Sequence, residues 1–385
     1  MVALGEPRPH ALLAAAVLVG WGLAVWGLLG LARAPRGGLP AGVLIAAALL
    51  VRVPLLVLDP VYSDDVYRYV WEGAVWRAGM NPFALAPDAA ALAPLRDEIW
   101  AQVNHREVSS IYPPLAQLLS VLLPGTLAWK ITMGAADVVT AALLHRREPR
   151  AGWLWALLPL PALESAGSGH LEGVGVCLMV AALAGRPWAA WAGALVKLLP
   201  GVLLVPLVGR RWRWWIGGIT LGLVTFSPIL LAGEGAWRGF ETYRATWAYN
   251  GSLYPLLCLL LEEPTARRVL QLSGIIVAAG ILVRSRDPGR VAVWVTGAFV
   301  ILSPTVHPWY ALWPFAAALW TRTRAWEAFA VLVPLAYVVL GSHDAEASAW
   351  VEPVWPRVVI YPVFYGLLLW GAWVRMTRPG PAPVH

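Results

Sequence analysis

Apolar stretches long enough to cross a bilayer recur along this chain from end to end. A helix rises about 1.5 Å per residue, so roughly 20 apolar residues cross about 30 Å of hydrocarbon. Only 13% of the 385 residues are charged, against about 25% in ordinary soluble domains. This excludes a soluble enzyme and a nucleic-acid-binding domain. It also excludes an outer-membrane barrel, whose strands alternate over about ten residues. What remains is an all-α polytopic membrane protein. The two cysteines, Cys177 and Cys258, lie in apolar stretches, so neither a disulfide framework nor a metal knuckle is available.

The charges orient the chain. Basic residues cluster in short connections: Arg33 with Arg36, Arg146, Arg147 and Arg150, Arg186, Arg210 to Arg213, Arg284 to Arg290, Arg322 with Arg324, and Arg375 with Arg378. Acidic residues concentrate in the others, at 59–112, 233–268 and 342–357. The positive-inside rule places the basic connections in the cytoplasm and the acidic loops outside. The net charge of +7 is therefore an orientation signal, and no nucleic-acid partner is implied. Spans are expected at 10–32, 41–58, 126–145, 151–166, 171–184, 214–232, 269–283, 291–306, 308–320, 325–341 and 358–374. That makes about eleven crossings within a single transmembrane domain, 1–385, with an outer N-terminus. The stretch 188–208 carries positive charge at both ends. It is expected to be re-entrant, a pair of half-helices hinged near Lys197, Pro200 and Gly201. The stretches 113–124 and 253–261 are too short to cross and are expected at the outer interface, where many of the 24 tryptophans also belong.

The long first outer loop, 59–112, holds the densest polar chemistry, and 233–268 forms a second outer loop. Ser63 can cap a helix that runs to about Ala78. On it Asp64 faces Arg68 at i+4, while Asp65, Tyr69, Glu72 and Trp76 form a stripe. Two acids in a first turn also complement a helix dipole, but that alone leaves the neighbouring Arg and aromatics unexplained. Three groups share this outer side. Glu164, His170 and Glu172 flank a tight turn at membrane depth, where ionisable groups are costly and usually functional. His307 sits in a turn broken by two prolines. Tyr243, Arg244, Trp247, Tyr249 and Asn250 suit either sugar stacking or interface anchoring. Arg52 and Lys197 are cations within apolar runs; Lys197 suits either a phosphate or snorkelling to the interface. There is no Gly-rich dinucleotide fingerprint, P-loop or HExxH motif, so soluble nucleotide donors are unsupported.

The order of these segments resembles the GT-C superfamily of integral-membrane glycosyltransferases. It is most similar to bacterial polyprenyl-phosphate-mannose-dependent mannosyltransferases and to glycosyltransferase family 87. The resemblance lies in Ser63-Asp64-Asp65-Val66-Tyr67-Arg68-Tyr69-Val70-Trp71-Glu72-Gly73, Gly79-Met80-Asn81-Pro82-Phe83, Asn104-His105 and Ile111-Tyr112-Pro113-Pro114-Leu115-Ala116-Gln117. It continues in Gly169-His170-Leu171-Glu172, Val196-Lys197-Leu198-Leu199-Pro200, Trp247-Ala248-Tyr249-Asn250-Gly251-Ser252 and Ser303 to Tyr310. The chain departs from the pattern in the extra span 10–32 and in Glu172, where Asp is more common.

The resemblance implies an acidic base in the first outer loop, inversion at the anomeric carbon and a polyprenyl-phosphate sugar donor, with mannose the sugar it suggests. The acceptor would be a glycan or lipid at the periplasmic or exterior face of the cell (inner) membrane, and membrane lipids are the remaining partners. The chemistry is consistent: a carboxylate takes the acceptor's proton, and cationic or hydrogen-bonding groups receive the leaving phosphate. Asp64 and Asp65 are the candidate catalytic acids, with Asp64 favoured because Arg68 would keep it ionised. The substrate-binding set is Arg68, Tyr69, Glu72, Asn81, Tyr112, His170, Glu172, Lys197, Arg244, Asn250, His307 and Tyr310. Arg68, His307, Arg244 and His170 are the candidates for the phosphate. No particular cofactor is implied, and a divalent cation at Asp64 and Asp65 is a candidate. The competing class is a transporter or lipid flippase, against which stand the outer placement of the polar groups and the lack of an internal repeat.

Overall fold

The structure, a computed structural model, describes residues 10–31, 40–60, 62–344 and 349–377. The basic residues Arg33, Arg36 and Arg378 lie outside these. Six helices among the described residues are long and apolar enough to cross a membrane: Ala11–Gly30, Thr126–Arg147, Trp212–Leu231, Glu263–Arg284, Arg324–Gly341 and Trp355–Val374. Shorter apolar helices, Ala41–Leu56, Glu172–Leu183, Leu199–Val208 and Pro288–Leu302, lie among them. The chain is an all-α membrane protein. Its one described strand pair is a two-residue antiparallel ribbon, His343 opposite Trp350 and Asp344 opposite Ala349.

Several expected spans are broken rather than continuous, and proline supplies the reason. A proline lacks the N–H that a helix interior needs. The stretch 151–166 is divided into Pro149–Leu157, Pro159–Ala162 and a π-helical turn at Leu163–Gly167. Residues 308–320 open as a 3-10 turn, Pro308–Ala311, before Leu312–Thr321. In 325–341 the α-helix gives way to 3-10 geometry over Val333–Gly341. The stretch 188–208 is broken at Lys197, whose backbone is extended between Pro187–Val196 and Leu199–Leu203.

Long helices that show apolar side chains outward form the periphery. Ile219, Leu223, Leu272 and Ile276 are all exposed, as expected of residues facing lipid. Thr126–Arg147 runs through the middle of the bundle. Near its start Trp129 packs on Tyr69 of the helix Asp65–Arg77, with ring centroids 4.8 Å apart. At its end Arg147 lies over the Trp320 ring at 5.4 Å, roughly 27 Å further along the helix axis. The acidic loop and the basic turns thus occupy opposite ends. At the basic end Arg150 and Trp26 Nε1 both donate to Glu327 at 2.9 Å, and Arg322 pairs with Glu148 at 2.6 Å.

Midway, Arg52 is fully enclosed. Its guanidinium pairs with Asp137 and donates to the carbonyls of Ala48 and Ala156 at 3.1 and 2.8 Å. Asp137 also accepts from Trp155 Nε1 and from Ser165 Oγ. Removing one member of such a pair leaves a bare buried charge, at a cost of about 3–5 kcal/mol. Arg52→Ala should lower the thermal unfolding midpoint in detergent sharply. The Arg52→Ala/Asp137→Ala double variant should recover part of the loss in the same measurement.

Candidate active site

The helix Asp65–Arg77 begins where Ser63 Oγ accepts from the Asp65 N–H at 3.2 Å. It ends before Gly79, whose φ of +76° turns the chain. It packs on Pro114–Leu122 so closely that a Cβ on Gly73 would stand 1.9 Å from the Ser120 carbonyl oxygen. Only glycine fits there.

The buried face of this helix carries Arg68 and Glu72. Arg68 Nε donates to Glu72 Oε1 at 2.9 Å. Its two terminal nitrogens donate to the carbonyls of Asn104 (3.3 Å), His105 (3.0 Å) and Val108. Glu72 Oε2 accepts from Ser110 Oγ at 2.7 Å and Gln117 Nε2 at 2.6 Å, and Trp76 Nε1 donates to Gln117 Oε1 at 2.6 Å. This differs from the expected Asp64–Arg68 pair. Asp64 precedes the helix, with φ −103° and ψ 5°, so its side chain does not stack one turn below Arg68. Glu72 occupies the guanidinium instead, and the network folds the loop 104–110 onto the helix.

That loop delivers Asn104, whose Nδ2 donates to Asp64 Oδ1 at 2.5 Å and Asp65 Oδ1 at 3.1 Å. The two acids differ in surroundings. Asp64 is 3% exposed and its Oδ2 is buried without a hydrogen-bond partner. Burial and then the Asp65 charge push its pKa up to about 7, against the Asn104 hydrogen bond. Asp65 opens onto a cavity of about 480 Å3.

The other walls come from distant segments. His170 Nδ1 lies 2.8 Å from Glu164 Oε2. Its ring stacks on Trp309 at 4.0 Å, and Trp309 stacks on His307 at 4.2 Å. The segment 303–307 is held extended by Tyr249, whose N–H donates to the Pro304 carbonyl at 3.1 Å and whose carbonyl accepts from the Val306 N–H at 2.7 Å. Burial holds His307 well below the ordinary imidazole range, so it lines the cavity as a neutral ring rather than a cation. Lys197, at its helix break, pairs with Glu172 and lies 5.1 Å from the centre of the Tyr310 ring. The Tyr243 and Tyr310 hydroxyls are 2.6 Å apart.

Of the residues singled out from sequence, Asp65, Arg68, Tyr69, Tyr112, Lys197, Tyr243, Trp247, His307 and Tyr310 line the cavity. His170 and Glu172 lie immediately behind its wall. Four lie elsewhere or serve as scaffold. Glu72 is enclosed in the network above. Arg244 is exposed and donates to Gln271 at 3.1 Å. Asn81 ties the loop to Trp212–Leu231, donating to the Pro228 carbonyl at 2.8 Å. Asn250 (φ +49°) donates its N–H to Glu352 and accepts from the Tyr361 hydroxyl. Three residues outside that set matter: Asn104, Trp309 and Tyr337, whose hydroxyl donates to Glu164. Tyr337 sits in an apolar run that gives no local sign of a partner. Asp64 and Asp65 share one Asn104 nitrogen. Among the described residues no group of three or more His, Cys, Asp or Glu is gathered to hold a metal ion.

A bundle of apolar helices thus carries an acid pair, a lysine and stacked aromatics about one cavity at its acidic end. The chain belongs to the alpha-(1->6)-mannopyranosyltransferase family, whose N-terminal domain model matches residues 2–212. It is 27% identical over 400 residues to alpha-(1->6)-mannopyranosyltransferase A of Mycobacterium tuberculosis, covering 87% of this chain and 77% of that protein. No solved structure matches it. The chain is a sugar-transferring enzyme, which sets aside the transporter and flippase readings.

The Arg68–Glu72 network makes a prediction about the loop. Glu72→Ala removes the acceptor for three donors, so 96–110 should detach. Limited trypsinolysis in detergent should then cut faster after Arg96 and Arg106 than in the parent protein, with the helices left intact. Unchanged cleavage would show that the loop is held by other contacts.

Proposed function

We propose that this chain transfers mannose from a polyprenyl-phosphate donor to a glycan or lipid acceptor, with inversion, and that Asp65 is the general base. The observation that carries the assignment is accessibility: Asp65 faces the cavity, while Asp64 is enclosed behind Asn104. A base must first reach the proton it removes. Asp64, its pKa raised to about 7 chiefly by burial, is the member of the pair that holds a proton most readily. The acceptor oxygen attacks the anomeric carbon as its proton passes to Asp65. The bond from that carbon to the phosphate oxygen breaks, and its electron pair leaves with the phosphate. Inversion follows because the acceptor enters opposite the leaving group.

The leaving phosphate needs donors and no acid. Lys197, a neutral His307 and the Tyr243–Tyr310 hydroxyl pair stand in the cavity to supply them. Leu198, Leu199, Val202, Phe240 and Phe299 form an apolar wall beside these groups and suit the first units of a prenyl chain. Family membership supports the mannosyl choice, since the Mycobacterium tuberculosis relative carries mannopyranosyltransferase in its name.

The same reading takes the chain as one domain of about eleven crossings, with 59–112 as the catalytic loop and 233–268 as a second loop, both on the exterior of the cell membrane. The break at Lys197 supports a re-entrant 188–208, because it brings a lysine into the cavity while Arg186 and Arg210 flank the stretch. Asp88 is exposed on the loop. Asp88→Cys, in a chain with Cys177 and Cys258 replaced by Ser, should react with a membrane-impermeant thiol reagent in intact cells. Reaction only after permeabilisation would invert the topology.

The activity is tested with purified protein in detergent, polyprenyl-phosphate mannose and a short mannoside acceptor. A new glycosidic product is expected without any gradient, and its anomeric configuration reads inversion. Chelator in the same assay tests a divalent ion at Asp64 and Asp65. Asp65→Asn should lower turnover by about 100-fold or more, the scale of general-base loss, with donor binding retained. Asp64→Asn should keep substantial activity. A dead Asp64→Asn beside an active Asp65→Asn would reverse the assignment.

A further inference from the structure

The turn before Glu172–Leu183 holds a chain of ionisable side chains that the reaction above leaves unused. Glu164 is fully buried on the π-helical turn Leu163–Gly167. One of its oxygens accepts from the Tyr337 hydroxyl, and the other meets His170 Nδ1 at 2.8 Å. Gly169, at φ +72°, folds the chain so that the His170 N–H donates to the Glu164 carbonyl at 2.8 Å. Trp309 covers the imidazole face. His170 Nε2 is buried, has no hydrogen-bond partner and lies 3.9 Å from Asp65 Oδ2. That distance is a charge contact, longer than a hydrogen bond.

The charges around His170 are lopsided. Glu164, Asp65 and Glu172 face it, with Asp64 behind Asp65. His307 is neutral beyond Trp309, and Lys197 is engaged with Glu172. Left to themselves, adjacent carboxylates favour protonation of one another. Burial alone would hold His170 neutral. The Glu164 hydrogen bond, and the charges of Glu164, Asp65 and Glu172, outweigh burial and raise its pKa. The imidazolium is thus present below that raised value and lost as pH climbs through it.

We propose that His170, braced by Glu164 and Tyr337, is the positioning residue that sets its Nε2 against the Asp65 carboxylate and keeps it aimed into the cavity. It acts through Asp65 and touches neither sugar. The inference rests on Asp65 being the base. It assigns Glu164–His170 to the base side of the reaction, in place of a phosphate contact.

The test is the pH profile of kcat for the purified full-length enzyme with polyprenyl-phosphate mannose and a mannoside acceptor. In His170→Gln the acid limb should move up by about one pH unit or more, since a cation beside a carboxylate is worth that much. The KM for each substrate should stay within about threefold, because no contact with substrate is lost. In Glu164→Gln the ring keeps a hydrogen-bond acceptor but loses its counter-ion, so the alkaline limb should move to lower pH. A merely structural role would lower activity without moving either limb. Unmoved limbs in both variants, with Asp65→Asn inactive, would overturn this inference and leave the base assignment standing. An active Asp65→Asn would instead remove the base assignment itself. If His170→Gln gives no cooperative unfolding transition, Glu164→Gln decides alone, by whether its alkaline limb moves.

Discussion

The Arg68 guanidinium is largely buried at the edge of the cavity and must find oxygen atoms for its donors. It finds them in Glu72 and in the carbonyls of Asn104, His105 and Val108. A buried charge without such partners costs several kcal/mol, so this demand folds a long loop against a short helix. The fold of that loop delivers Asn104 to Asp64 and Asp65. The orientation of both acids is therefore a consequence of satisfying one cation. Glu72 extends the same logic to Ser110, Gln117 and Trp76.

Pairing of buried charges organises the rest of the bundle as well. Arg52 with Asp137 joins Ala41–Leu56 to Thr126–Arg147 at mid-bundle. Arg150 with Glu327 fastens the basic end, and Lys197 with Glu172 closes a wall of the cavity. Each pair links helices that apolar packing alone would leave free to slide. In hydrocarbon, where helix association gains little from hydrophobicity, polar contacts of this kind fix register. The proline breaks contribute the other half: where a helix stops at membrane depth, its ends create room, and the cavity lies against the breaks at Lys197 and Pro308.

The helical membrane class, the break near Lys197 and the concentration of polar chemistry near Asp64 and Asp65 were legible from sequence, whereas the breaks within 151–166, 308–320 and 325–341 were not. Hydropathy and missing N–H groups are properties of residues in series, so they need no partner to be read. The Arg68 pairing was not legible. Arg68 has a carboxylate four residues to either side, Asp64 and Glu72, and spacing treats them alike. The helix starts at Asp65, which leaves Asp64 off the helical lattice and gives the guanidinium to Glu72. Arg244 was singled out for its aromatic neighbours, yet its side chain points away to Gln271. His307 lines the cavity, but its charge is decided by enclosure, which no local pattern records.

By itself the sequence determined the helical membrane class and which loop carries the acids, because those follow from local transfer energies and residue chemistry. Only the tertiary structure decided which acid opens onto the cavity and what surrounds it. Glu164 meets Tyr337 across 173 positions, and Trp309 slots between His170 and His307. Such partners are chosen by how helices pack and which polar atoms packing leaves without water. That choice depends on the whole enclosure at once, and a linear sequence carries it only implicitly.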